Sequence, residues 1–547
     1  MSTKISALCV CLAALAAAPG TAQALGPDGG LDNRAWEIVS PLEKNGGEVG
    51  RPGTPEGGVM KAAAAGGAVA YGSDASFGDA QGAPPVSQYL ATRAADGWRS
   101  TNLSPPLLSG TYSGDPYLLF SDDLQRGILE NGWRCRDGSP PCSAENPPLG
   151  PSAPGGYRNL YLHDATGYTP LITSANSPLL TVAAEDFELS LGAASPDLGH
   201  IVIATCAALV AGAVEVPGPD GCDPNAQNLY LWQAGQLEVI NKLPGQPVSS
   251  PGAAISSSPG AVSSDGSRVY WSRDGNIYLW ERGITKLVSE GGAFERAARD
   301  GSSAFYLMGG HLYRYAPSTE FITDLTPAGG VVALVGSSDN GSKLFFVAAT
   351  GLFRIDGGAL TKILTASPGA LPPASGYSRA SADGDRLFFN YPGVLHPRDT
   401  NQRPDVYEWE GQGRGTCTGV GGCIGLISAG NGLGASLADA SATGDDVFFT
   451  TAGSLLPGDA GGVDLFDARV GGGFPEPPPP FECEGDDCQG PPTVPADPTP
   501  GTAVLVGHSN PPLRIAHRHR KKKHRRHGKA KKRRHHKHIS RGRGGHR

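Results

Sequence analysis

The sequence predicts an all-β protein: an eight-bladed β-propeller, with seven blades as the alternative, closed by an N-terminal strand and followed by a disordered basic tail. Three observations predict this architecture. A four-strand unit repeats along the chain, an unpartnered strand precedes the first unit, and the composition changes abruptly near Phe474. Glycine and proline (79 and 47 of 547 residues) are spread through most of the chain, which indicates many turns.

Each repeat consists of a Ser/Ala-rich stretch, a tight turn of the Asp-Gly type, an apolar strand, a strand of the form Leu-Tyr-x-Trp and a short last strand. The clearest copy runs from Val262 to Ser289, with Asp265-Gly266 as a turn that needs positive φ. One four-stranded sheet cannot bury both of its faces, whereas sheets stacked around an axis do so. The third-strand aromatic residues mark eight units: Tyr89, Tyr161, Tyr230, Tyr278, Tyr313, Phe353, Tyr407 and Phe466.

Closure of the ring is predicted by the two ends of the repeat region. The last unit has three strands, between about Leu437 and Val470, before the chain enters proline-rich sequence. The segment Arg34 to Ser40 resembles a fourth strand and has no unit of its own. We therefore expect it to complete the last blade.

The segments Ser-Ser-Asp-Gly-Ser-Arg-Val-Tyr-Trp (263–271) and Asn-Ile-Tyr-Leu-Trp-Glu (276–281) resemble the WD40-like, TolB-type propeller repeats of exported bacterial proteins. The resemblance covers most of residues 34–470, although the Gly-His and Trp-Asp signatures of true WD40 repeats are absent. It implies a propeller outside the cytoplasm and says little about function.

The two ends of the chain predict where the protein goes. Residues 1–24 are typical of a secretory signal, with Lys4, an apolar run from Ile5 to Ala18 and the cleavage pattern Ala22-Gln23-Ala24. Residues 25–473 form the expected propeller, 474–513 a proline-rich linker and 514–547 a disordered tail. The tail holds 17 Lys and Arg, eight His and no acid, whereas the rest of the chain has 28 basic and 52 acidic residues. We expect a secreted or envelope-associated monomer without a transmembrane segment, whose tail meets anionic surface polymers rather than a specific nucleic acid.

Eight cysteines remain outside the signal, and they fall into close neighbours. Because an exported chain meets an oxidising compartment, we expect local disulfides rather than metal ligands. The expected pairs are Cys135–Cys142, Cys206–Cys222, Cys417–Cys423 and Cys483–Cys488.

The links between second and third strands differ most among the units. They are long in units seven, eight, one, two and three, at about 391–404, 452–462, 72–87, 131–158 and 205–227. In a closed ring these links form one arc on one face. The arc is either a binding face or the result of sequence drift in surface loops that tolerate insertions. The arc contains Asp74, Asp79, Asp399, Asp405, Asp459 and Asp464. Asp399-Thr400-Asn401 with Asp405 resembles the start of a calcium loop but lacks the bidentate Glu, and turn capping is the alternative.

No HExxH, GxxxxGK[ST] or GxSxG motif that could serve catalysis is present, and no catalytic, cofactor or metal residues are predicted. Turn aspartates such as Asp300 and Asp383 are interpreted as hairpin formers. The leading hypothesis is a non-catalytic binding or scaffold protein of the cell envelope. The alternatives are a hydrolase or lyase acting on extracellular glycans, which needs converging carboxylates at the ring centre, and a purely structural surface protein.

Overall fold

The computed structural model describes residues 26, 31–54, 57–80, 86–105, 117–131, 149–219, 221–459 and 461–474. Within them, antiparallel sheets follow one another as the eight blades of a propeller. Short 3₁₀ turns occur at Ala184–Asp186 and Pro368–Ala370. The predicted all-β, eight-bladed fold is confirmed, while the predicted signal, linker and tail segments lie outside the described residues.

In every blade except blade 4 the first strand is innermost, and contacts between first strands join blades 5, 6, 7, 8 and 1 in turn. Blade 1 consists of β2 (Lys61–Ala62), β3 (Ala68–Ser73), β4 (Ser87–Ala94) and β5 (Gly97–Asn102). Blade 2 consists of β6 (Tyr117–Phe120), β7 (Gly127–Asn131), β8 (Asn159–Asp164) and β9 (Gly167–Pro170). Blade 3 consists of β10 (Ser190–Ala194), β11 (His200–Thr205), β14 (Asn228–Gln233) and β15 (Gln236–Val239), with the small hairpin β12 (Pro217–Gly218) and β13 (Gly221–Cys222) in its link.

The remaining blades follow the same order. Blade 4 consists of β16 (Arg268–Arg273), β17 (Asn276–Glu281) and β18 (Ile284–Ser289). Blade 5 consists of β19 (Ala293–Ala297), β20 (Ala304–Met308), β21 (His311–Ala316) and β22 (Phe321–Asp324). Blade 6 consists of β23 (Val331–Ser337), β24 (Lys343–Ala348), β25 (Gly351–Asp356) and β26 (Ala359–Leu364). Blade 7 consists of β27 (Ser378–Ala380), β28 (Arg386–Tyr391), β29 (Asp405–Glu410) and β30 (Cys423–Leu426). Blade 8 consists of β31 (Ala435–Ala440), β32 (Val447–Thr451), β33 (Asp464–Val470) and the N-terminal β1 (Arg34–Ile38).

Blade 4 departs from the repeat because its innermost segment forms only single bridges, Ala254 to Ser272 and Val262 to Val269. The intervening sequence contains Pro259 and Gly260. Proline cannot donate a ladder hydrogen bond and glycine disfavours a regular strand, so the segment follows the axis without becoming a ladder.

The turn between first and second strands is built in the same way in most blades. In Ser263-Ser264-Asp265-Gly266, the Ser263 hydroxyl donates to the Asp265 carboxylate (2.8 Å) and accepts from the Arg268 N–H (3.0 Å). Gly266 takes φ 65°. Leu124 and Leu198 hold a similar φ, 58° and 55°, in blades 2 and 3, where no Gly marked the turn in the sequence.

The second residue of each turn joins neighbouring blades through its backbone. The N–H of this residue donates to the carbonyl of the equivalent residue in the next blade, at 2.7–2.9 Å, at seven of the eight junctions between adjacent blades. The missing step begins at Pro196, which has no N–H to donate. The equivalent residues are Ala64, Asp122, Pro196, Ser264, Arg299, Asp339, Ala382 and Ala442. This backbone ring fixes the turn face of the propeller.

The predicted closure is also observed. β1 pairs antiparallel with β33, with Trp36 opposite Ala468 and Ile38 opposite Phe466. The Trp36 indole donates to the Ile427 carbonyl of blade 7 (2.9 Å), so β1 contacts two blades. The hydrophobic core is a series of clusters between adjacent blades rather than one centre, because both faces of each sheet are covered by a neighbour.

Candidate functional site

The two faces of the propeller differ. The turn face carries the backbone ring, and the opposite face carries the links between second and third strands. Blades 7, 8, 1, 2 and 3 have long links, between residues 391 and 405, 451 and 464, 73 and 87, 131 and 159, and 205 and 228. In blades 4, 5 and 6 the strands are joined by two residues, as between Arg273 and Asn276. The long links therefore occupy five consecutive blades, and we call them the insertion arc.

The third-strand tyrosines anchor the start of several long links. Tyr230 donates to the Ala207 carbonyl (2.7 Å) and accepts from the Leu209 N–H (3.1 Å). Tyr89 makes the same pair of bonds to the Phe77 backbone, at 3.1 and 2.7 Å. Burial raises the pKa of both phenols. The backbone at the start of these two links is therefore held in place by the buried tyrosines.

Two of the predicted disulfides are present. Cys206 and Cys222 close the blade 3 link, with their Cα atoms 5.7 Å apart. Cys417 and Cys423 close the turn between the third and fourth strands of blade 7, with their Cα atoms 5.6 Å apart. The expected pairs Cys135–Cys142 and Cys483–Cys488 lie outside the described residues.

The acidic residues singled out in the arc hold backbone and side chains in place. Asp74 accepts from the Glu48 N–H (2.7 Å), Asp79 from the Asn102 N–H (2.8 Å) and Asp459 from the Gly461 N–H (3.0 Å). Asp464 is buried between Lys44 Nζ (2.6 Å) and the Ser40 hydroxyl (2.5 Å). These groups are used in structural contacts and do not converge on a shared point.

The aspartates of the calcium-like loop contact side chains of their own blade, and Asn401 caps the turn by accepting from the Arg403 N–H (2.8 Å). Asp405 is buried and accepts from the Ser428 hydroxyl (2.6 Å) and from Asn401 Nδ2 (2.8 Å), and burial raises its pKa. The buried Asp399 accepts from the Tyr407 hydroxyl. Three of the four carboxylate oxygens of these two aspartates have donors of the chain nearby, whereas Asp399 Oδ1 is buried without a hydrogen bond. The turn aspartates Asp300 and Asp383 accept backbone N–H groups, at 2.9 and 3.0 Å.

A cavity of about 530 Å³ lies along the propeller axis. Its wall comes from the innermost segments of the blades, with leucines of blades 2 and 3 on one part and Lys61, Arg296 and Arg379 on another. At the turn face, Arg299 of blade 5 pairs with Asp122 of blade 2. Because these blades are not neighbours, this ion pair crosses the channel.

The carboxylates that line this cavity face cations. Asp122 also contacts Lys61 Nζ (2.7 Å), Asp339 lies 3.5 Å from Arg299, and Glu130 pairs with Arg158. Burial, aided by Arg379, lowers the pKa of Lys61 to about 8 and that of Arg296 to about 10. The lining is thus richer in cations than in acids, and its acids are neutralised.

A second charged cluster lies at the seam between blades 7 and 8, where β1 closes the ring. Arg34 is fully buried and donates to both oxygens of Glu408 (3.0 and 2.8 Å) and to three backbone carbonyls. Arg386 donates to Glu410 (2.7 Å) and pairs with Asp32. Two guanidinium groups therefore join carboxylates across the seam.

Asp32, Glu408 and Glu410 bring carboxylate oxygens within 4.8 Å of one another, which is the grouping of a metal site. Burial, with Asp32 and Glu408 alongside, raises the pKa of Glu410 to about 8. The pKa of Asp32 is lowered: burial opposes this, but hydrogen bonds from Glu410 and the Thr416 N–H outweigh it. The two acids thus differ in pKa, although both contact Arg386. We interpret the cluster as an ion-pair lock on the closing strand.

The chain is therefore a β-propeller protein with the insertion arc on one face and a central channel lined mainly by cationic side chains. No protein-family model matches the chain, and no curated protein matches it. Within the described residues, no helix has the length and apolarity needed to cross a membrane.

Solved structures similar to the chain include propeller-containing peptidases and TolB proteins. Dipeptidyl peptidase 4 of Porphyromonas gingivalis is 12% identical over 65% of this chain and 51% of that one, with a TM-score of 0.35. The acylaminoacyl peptidase of Pyrococcus horikoshii is 12% identical over 69% and 53%, with a TM-score of 0.34. TolB of Acinetobacter baumannii is 14% identical over 58% and 77%, with a TM-score of 0.25. The chain spans only about half the length of the two peptidases, and the likeness concerns the fold alone.

Proposed function

We propose that the protein is an exported, non-catalytic binding or scaffold protein of the cell envelope. In this proposal the insertion arc engages a protein or glycan partner, and the basic tail holds the protein near anionic surface polymers. The observation that carries the proposal is the arc itself: five long links on consecutive blades, with buried tyrosines and the Cys206–Cys222 disulfide fixing links within it. Ordered loops on a rigid scaffold are a common form of binding surface.

The position of the chain end supports this division of roles. β33 begins at the insertion face with Asp464 and ends at the turn face with Val470. The described chain continues to Phe474, whose ring packs against the Arg93 guanidinium (4.4 Å). The described part of the chain therefore ends on the side opposite the insertion arc, which suits a tether that leaves the arc uncovered.

The glycan hydrolase or lyase alternative gains no support from the axial cavity. Glycosidases use a pair of carboxyl groups that flank the scissile bond. Asp122, Asp339 and Glu130, which line this cavity, each face an arginine or a lysine instead. The proposal of a binding protein therefore rests on the insertion arc.

The tethering half is tested with isolated cell walls. Full-length protein and a variant lacking residues 514–547 are incubated with walls at low and at high salt. We expect retention at low salt that is lost on deletion and lost at high salt, because attraction between a cationic tail and anionic polymers is screened by ions. Equal retention of the two proteins would contradict the tether.

The partner half is tested with the tail-less protein, since the tail would bind any acidic material. A panel of wall fragments and glycans is screened against it and against a variant in which the link 452–462 is replaced by a two-residue turn like that of blade 5. We expect a ligand whose binding is lost in the shortened variant. Binding that survives the replacement of each long link in turn would contradict a role for the arc.

A further inference from the structure

The wall of the axial cavity combines apolar and cationic side chains, and the role proposed for the insertion arc does not involve them. Leu118, Leu119 and Leu191 are half-buried and line the part formed by blades 2 and 3. Arg296 and Arg379 line the part formed by blades 5 and 7. A volume of about 530 Å³ lies within the range of small-molecule sites, which are largely apolar with a few placed polar groups.

Arg296 distinguishes this cavity from a water-filled channel lined with ion pairs. Its neighbours are neutralised: Arg379 lies 3.2 Å from Asp439, and Arg299 pairs with Asp122. Among the described residues Arg296 has no ion-pair partner, and its Nε is buried without a hydrogen bond. Arg296 as a whole is partly buried beside the cavity. An unpaired cation in such a position favours an anion in the cavity that supplies the missing partner.

We propose that the axial cavity binds a small organic carboxylate with an apolar body. The carboxylate pairs with Arg296, whose planar guanidinium matches two carboxylate oxygens, and the hydrocarbon part lies against Leu118, Leu119 and Leu191. The Arg299–Asp122 pair crosses the channel at the turn face, so the ligand enters from the insertion face. This binding site is separate from the partner surface of the insertion arc and does not depend on it.

The experiment measures the binding of decanoate to the full-length protein by calorimetry and by thermal unfolding. Decanol tests the need for the charge, and acetate tests the need for the hydrocarbon. We expect one decanoate per chain, with decanol and acetate each at least about 10-fold weaker, since a charge-assisted hydrogen bond and several buried methylenes each contribute that much or more.

Arg296→Gln is the test variant and Arg282→Gln is the matched control. The Arg282 side chain is 78% exposed on a hairpin, and its replacement removes the same charge at a distant position. We expect Arg296→Gln to weaken decanoate binding about 10- to 100-fold and Arg282→Gln to leave it unchanged. Without ligand, Arg296→Gln should unfold at the same temperature as the wild type or higher, since it removes an unpaired buried charge.

Several results would overturn the proposal: decanoate binding that is equal in Arg296→Gln and wild type, decanol binding as tightly as decanoate, or no decanoate binding at all. A marked fall in the unfolding temperature of ligand-free Arg296→Gln would also overturn it, because that result would make Arg296 a structural residue. Should Arg296→Gln fail to accumulate, Arg296→Lys retains the charge without the planar fork. It should then bind decanoate more weakly than wild type, and unchanged binding counts against the proposal.

Discussion

Ring closure should depend strongly on Arg34, the first residue of β1. Its guanidinium is fully buried, donates twice to the equally buried Glu408, and satisfies the carbonyls of Gly444, Asp445 and Ala468. Arg34→Met leaves a buried carboxylate with only the more distant Arg386, 3.4 Å away, and leaves carbonyls unpaired. Removing one partner of a buried pair costs about 3–5 kcal/mol, and we expect about 3 kcal/mol here because Arg386 compensates in part.

The assay is guanidinium chloride unfolding of the full-length protein, with limited proteolysis at the N-terminal strand as a second readout. Arg99→Met is the matched control, since its pair with Asp96 is exposed (63% and 73%) and should contribute less than about 1 kcal/mol. Arg34→Met/Glu408→Leu should recover much of the loss, because an apolar pair replaces an ion pair. A loss below about 1 kcal/mol in Arg34→Met, or a double variant less stable than the single one, would refute the reasoning.

Three further predictions concern the seam and the arc. The pKa of Glu410 is raised to about 8, so the native protein binds more protons than the unfolded chain between about pH 4.5 and 8. The free energy of unfolding should therefore fall as pH rises through that window, by at most about 1.4 kcal/mol per pH unit. Glu410→Gln should flatten this slope, and an unchanged slope would show that another group causes the pH dependence. Replacing Cys206 and Cys222 by Ser opens a 16-residue loop and should cost about 3 kcal/mol in chemical unfolding, whereas no loss would show that the link is rigid without it. Tyr230→Phe leaves the Ala207 carbonyl and the Leu209 N–H without their partner and should lower the free energy of unfolding by about 1–2 kcal/mol. Tyr313→Phe, at the short link of blade 5, should change it little. Equal losses in the two variants would contradict an anchoring role for Tyr230.

Much of the ring could be predicted because it follows from local rules. The Asp-Gly turns, the third-strand aromatics and the unpaired segment at Trp36 are visible in the sequence, and each corresponds to an element of the structure. The sequence does not indicate that the innermost segment of blade 4 forms only single bridges. Hydrogen bonds to blade 5 help to hold this segment, from the Ala297 N–H to the Pro259 carbonyl and from the Ser264 N–H to the Arg299 carbonyl.

The charged clusters could not be predicted, for a different reason. In Asp405-Val-Tyr-Glu-Trp-Glu the acids alternate with apolar residues, a pattern that normally indicates one face in solvent. A propeller blade has no solvent face at this position. Glu408 pairs with Arg34 of β1, which is distant in the sequence, and Glu410 pairs with Arg386, which lies opposite it on the neighbouring strand β28.

The turns between first and second strands are short in every blade, and this has a physical cause. Most of these turns are fixed by a Ser hydroxyl within the turn, and backbone hydrogen bonds join them to neighbouring blades. An insertion there would break bonds in two adjacent blades at once. A link between second and third strands closes a single hairpin, and lengthening it costs little because loop entropy grows slowly with length. The ring of turns fixes one end of the axial channel. A ligand that enters from the insertion face and reaches Arg296 therefore meets a site whose depth this ring sets.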